Sequence, residues 1–175
     1  GFGVAPPSAN ANNSYTTTGL GAAAQPIVWV WNPAGSGVLL SILRVNIAIV
    51  FMPAAVAVSG TISYLTAVNQ SAISTGIAPL NLLTLQNLGS KAKMNGFNVA
   101  LTGLVGNLTV QLPVVTPVLC VPQGATATPI IVPQSCDEVD GMISVPPGGV
   151  LAVMVHDGSQ STAWTGSMVW EEIAL

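Results

Sequence analysis

Three basic and six acidic residues are spread over the 175 positions of this chain, so that only 5 % of it is charged. A typical globular domain carries about 25 % charged residues. Half of the residues are apolar, too many for a chain that stays unfolded, and the remaining polarity is almost all Ser, Thr, Asn and Gln. Molecules with so few charges lack the repulsion that keeps them apart in water. The chain must therefore sit in a membrane or bury much of its exterior inside an assembly. Three scattered cations, Arg44, Lys91 and Lys93, cannot neutralise a phosphate backbone, which excludes nucleic acid as a partner.

The most lipid-like stretch, VLLSILRVNIAIVFMPAAVAV over residues 38–58, is long enough to span a bilayer. It holds Arg44 and Asn46 near its middle and Pro53 in its second half. Val45, Ile47 and Ile49 alternate with Arg44, Asn46 and Ala48, a period of two. Ile, Val and Phe dominate the run, and these are strand formers. The reading is a strand with one inward face and a turn near Pro53, not a membrane span, which leaves the assembly.

Residues 1–24 are small, polar and rich in Gly, Asn and Thr. They read as an extended N-terminal arm, carrying Tyr15, that either hangs free or orders against a neighbouring subunit. Residues 25–175 read as one domain. Apolar runs of strand length follow at 27–31, 38–51, 56–68, 97–101, 108–112, 150–155 and 167–175, and the run 78–88 is compatible with a short helix or a strand. Most are separated by clusters containing Gly, Pro, Asn or Asp. The proline-rich part from Pro113 to Pro147 reads as edge strands or extended loops, and Asp137–Gly141 as a turn. About eight strands with almost no helical periodicity predict an all-β, antiparallel sandwich. A chain of this size buries about 70 % of its unfolded surface and needs no staples.

The residues that could carry chemistry are few. His156 stands beside Asp157 on a strand, where neighbouring side chains point to opposite faces; hydrogen bonding suits it better than catalysis. No acid–base pair and no nucleophile are visible, so neither enzyme activity nor a cofactor is expected. Asp137, Glu138 and Asp140 put three carboxylates beside Gly141, yet lack the full spacing of a calcium loop. Cys120 and Cys136 can meet if their segments form a hairpin, and stay free thiols in a reducing cytosol. Trp29 and Trp31 share one strand face; with Tyr15, Trp164 and Trp170 they are candidate interface anchors, or a platform for stacking sugars. Arg44, alone among apolar neighbours, is expected to form a buried ion pair with Glu171 or Glu172, which removes two costly charges at once.

Three stretches carry a resemblance: a strand ending in Asn32-Pro33 with Gly35-Ser36-Gly37 after the polar arm; the turn Asp140-Gly141-Met142-Ile143-Ser144-Val145-Pro146-Pro147-Gly148 before an apolar strand; and the closing Val169-Trp170-Glu171-Glu172-Ile173. Across residues 25–175 the chain resembles jelly-roll capsid decoration (cement) proteins of tailed bacteriophages, and head-fibre or tail-associated virion proteins. The resemblance implies a jelly-roll β-sandwich, usually a homotrimer, assembled in the host cytoplasm. It implies a place on the outer capsid surface, where the protein bridges neighbouring copies of the major capsid protein. It brings no catalytic residues. The alternative within the same resemblance is a fibre or tail protein that binds host glycan.

Overall fold

The computed structural model describes residues 26–51, 58–74, 76–81, 89–96, 103–105, 109–120, 134–157 and 163–175. They form eight strands: β1 (Val28–Trp31), β2 (Val38–Phe51), β3 (Val58–Ala67), β4 (Lys93–Gly96), β5 (Thr109–Cys120), β6 (Gln134–Val145), β7 (Val150–Asp157) and β8 (Ala163–Ala174). Among the described residues there is no helix, and hence none long and apolar enough to cross a membrane. The expected arm, the turn near Pro53 and the strand at 97–101 lie outside the described residues, as does most of the ambiguous run 78–88.

All pairings are antiparallel, in a five-stranded sheet ordered β4-β1-β7-β3-β5 and a three-stranded sheet ordered β6-β2-β8. Three of the pairs nest along the sequence: β1 with β7, β2 with β6, and β3 with β5. The sheets share one core: Leu40, Ile42, Val45, Ile47, Met168 and Trp170 of the smaller sheet meet Val28, Val30, Met94, Leu151 and Val153 of the larger. Each such fully buried side chain contributes about 1.5–3 kcal/mol of transfer free energy.

The larger sheet is also covered on its other face. Trp29, Trp31, Leu65, Val150, Ala152 and Met154 pack there with Ile73 and Leu104 from the loops. All four residues of β1 are therefore buried, and its sequence VWVW is apolar throughout, as befits a strand covered on both sides.

Among the described side chains of β2, the buried apolar ones are Leu40, Ile42, Val45 and Ile47. The step from Ile42 to Val45 is odd, and strict alternation cannot put both on one face. A bulge solves this: Ile42 pairs with Trp170 and Arg44 with Val169, so Leu43 is an extra residue against β8. The bulge resets the alternation and sends Arg44 outward. Arg44 thus lies on the face opposite Val45 and Ile47, and the expectation that its apolar neighbours bury it is corrected: it is exposed.

β5 contains Pro113 and Pro117 and, among the described strands, lies at the sheet edge and pairs with β3 alone. An edge tolerates residues that cannot donate to a second neighbour. The expected turn at residues 137–141 falls instead within β6. Glu138 pairs with Arg44 and Ile143 with Ile42, so four residues, Val139 to Met142, stand opposite Leu43 alone. Asp140 and Gly141 have φ of 46° and 80°, the successive left-handed pair of a type I′ turn. The Asp-Gly turn signal was sound, but it marks an excursion from a strand, not a break between two.

Candidate functional site

At one end of the sandwich, two buried amide side chains lace the turns together. Asn32, which follows β1, is fully buried. Its Nδ2 donates to the carbonyls of Val38 at 2.7 Å and Val145 at 2.9 Å. Its backbone N–H donates to the Gly149 carbonyl, and its own carbonyl accepts from the Gly148 N–H. Gln70, after β3, is also buried. Its Nε2 donates to the carbonyls of Val68 and Val105, its Oε1 accepts from the Val105 N–H at 2.7 Å, and its backbone N–H donates to the Gly148 carbonyl. The turns at 32–37, 68–70, 103–105 and 146–149 are thus held by side chains, as buried backbone groups without a ladder partner require.

Beside this laced end lies a cleft of about 490 Å³, between the end of β3 (66–68), the last residues of β6 with Pro146 (142–146), and the start of β7 (149–150). No charged residue lines it. Two of its lining side chains are large, apolar and exposed, Met142 at 84 % and Val68, and Val105 is exposed beside Gln70 at the laced end. Met142 owes its position to the β6 excursion. Gly141 must be glycine there, because its φ is left-handed and a Cβ would come within 2.9 Å of Ser41 Oγ. The described walls are uncharged and the rim is apolar, a surface of the kind that can be buried without desolvating charge.

The expected site residues are distributed differently. Trp29 and Trp31 are core residues, with exposures of 0 % and 8 %, so they offer neither an interface anchor nor a stacking platform. The reason is the second cluster, in which Ile73 and Leu104 cover the face they share. Trp170 is likewise buried, in the main core. Trp164 stands opposite Ile49 in the β2–β8 ladder, with its side chain outside the described set, and Tyr15 lies outside the described residues.

Arg44 pairs not with Glu171 or Glu172 but with Glu138, Nη2 to Oε1 at 2.5 Å, across the β2–β6 ladder. The pair is no buried one, since both side chains are about half exposed. Glu172 accepts hydrogen bonds from Ser90 Oγ at 2.6 Å and the Lys91 N–H, tying the approach to β4 onto β8. Glu171 is exposed. No three His, Cys, Asp or Glu among the described residues are grouped to hold a metal, and the Asp137 side chain is outside the described set. Cys120 ends β5 in the larger sheet and Cys136 lies in β6 of the smaller, so their segments do not form the hairpin expected to bring them together. His156 pairs with Thr61 within the β3–β7 ladder.

Two of the three stretches that carry the resemblance meet here: Asn32 joins its own turn to the segment ending in Val145-Pro146-Pro147-Gly148. Sequence reasoning missed Gln70, Val68 and Val105. A lone Gln after a strand gives no signal, because only the fold brings residue 105 to it. No protein-family model, curated protein or solved structure matches this chain.

Proposed function

We propose that this chain is a structural protein of a tailed-bacteriophage particle. In this reading it assembles as a homotrimer, binds the outer capsid surface and stabilises the shell by bridging neighbouring capsomers. The observation that carries the reading is the cleft with uncharged described walls and exposed Met142 and Val68, on a chain with 5 % charge. Such a surface suits contacts that bury area without desolvating charges. The nested pairing of β1–β7, β2–β6 and β3–β5 also supports a jelly roll, in which a long hairpin wraps over two sheets. The function is mechanical: burying apolar interface, at roughly 25 cal/mol per Å², adds to the cohesion of the shell.

The test is to add the purified chain to phage capsids lacking it and to image them. Regular density on the outer surface, and shells that survive a higher temperature, are expected. Attachment should change little with ionic strength, because few ion pairs are available to be screened. Release by moderate NaCl alone, or absence of binding to any capsid surface, would overturn the proposal.

A further inference from the structure

The fold treats its described methionines in opposite ways. Met94 and Met168 lie in the core between the sheets and Met154 in the cluster on the outer face of the larger one, with exposures of 0 %, 0 % and 1 %. Met142 is 84 % exposed and lines the cleft. Its sulfur carries no packing. Val139 before it is buried and Ile143 after it packs against the main core, so this part of β6 is anchored without it. Met52 lies outside the described residues.

We propose that Met142 is a site of reversible oxidation, at which a hydroperoxide turns the apolar rim of the cleft polar and leaves the fold intact. In the step, a lone pair of the thioether sulfur attacks one oxygen of hydrogen peroxide. An S–O bond forms as the O–O bond breaks, and the departing hydroxide takes a proton and leaves as water. The sulfur loses the electron pair that the peroxide gains, and the product is the sulfoxide. Sulfoxide reductases return it to the thioether, and the modification replaces a flexible apolar side chain by a polar one. No charged side chain lines the cleft, so a new S–O dipole on its most exposed lining residue changes the character of the rim. The same oxygen at Met94, Met154 or Met168 would sit in a core and disrupt its packing. Burial shields those three from the oxidant, and the fold thereby separates a responsive methionine from protected ones. The inference concerns the chemistry of the rim and does not depend on the capsid role.

The experiment uses the full chain, treated with dilute hydrogen peroxide under native conditions and again in concentrated urea. Peptide mass mapping follows oxidation at each methionine. In the native chain Met142 should oxidise at least about tenfold faster than Met94, Met154 and Met168, and the difference should vanish in urea, because opening a core methionine requires unfolding. The native chain oxidised at Met142 should keep its far-UV circular dichroism spectrum and elute earlier from a hydrophobic-interaction column. Methionine sulfoxide reductase should restore the retention. Met142→Leu keeps an apolar group of similar volume and should show no shift in retention after the same treatment. Oxidation of Met142 no faster than that of the three buried methionines would overturn the site. Loss of the native spectrum on its oxidation, or a retention shift that persists in Met142→Leu, would overturn the switch at the rim.

Discussion

Asn32 shows how one side chain can decide the state of several turns. Its amide satisfies the carbonyls of Val38 and Val145, which come from segments more than a hundred residues apart. Water cannot easily replace it, since the residue is fully buried. Asn32→Ala removes both donors: the Val145 carbonyl loses its amide partner and the Val38 carbonyl is left with the Ser36 hydroxyl at 3.3 Å, and a buried acceptor left unpaired costs about 1–3 kcal/mol. A lower denaturant midpoint with an unchanged slope is the expected result in urea unfolding; a midpoint equal to that of the wild type would count against the lacing role. Arg44 is the contrasting residue. A half-exposed pair such as Arg44–Glu138 is worth at most about 1 kcal/mol, so the sole arginine contributes far less to stability than a neutral amide does.

Within β2, one residue sets the inside and outside of fourteen. Leu43 stands as the extra residue between Ile42 and Arg44, and every position beyond it has the opposite parity to the one that strict alternation gives. Without Leu43, Ile42 and Val45 stand two apart and share a face by plain alternation, so deleting it keeps Val45 and Ile47 in the core. Inserting an alanine between Arg44 and Val45 instead adds a second odd step and turns Val45 and Ile47 to solvent, or else forces the rest of the ladder to slip. The insertion variant should therefore lack the native far-UV spectrum and be recovered poorly, whereas the Leu43 deletion should fold. A well-folded insertion variant would show that the core does not depend on this register. This element also explains why the strand was legible in the sequence and the ion pair was not. Branched apolar residues marked 38–51 as a strand, but no local pattern says which strand lies alongside, and the partner that reaches Arg44 is Glu138 of β6, not Glu171 or Glu172 of β8.

For the molecule as a whole, three strands, β1, β3 and β7, contribute side chains to both hydrophobic clusters, and β1 is the one buried along its whole length. Val28 and Val30 belong to the core between the sheets, Trp29 and Trp31 to the cluster on the outer face of the larger one. Loss of either cluster therefore undermines the other. Trp29→Ala should cost about 3–5 kcal/mol, the range for a large aromatic removed from a core. Unfolding followed by tryptophan emission and by far-UV circular dichroism should coincide in one transition. Two separated transitions would show that the outer cluster unfolds independently.

The chain's own residues determined the all-β class, the approximate positions of most described strands and the poverty of charge, because side-chain chemistry with a period of two is local information. Tertiary structure decided which strands are neighbours, that Trp29 and Trp31 are covered by Ile73 and Leu104, that Arg44 meets Glu138, and that Asn32 and Gln70 lace one end beside an uncharged cleft. These depend on segments far apart in sequence. No local pattern encodes which distant segment will cover a face or complete a hydrogen bond. That is settled only when the sheets pack and buried groups such as the Asn32 and Gln70 amides meet their partners.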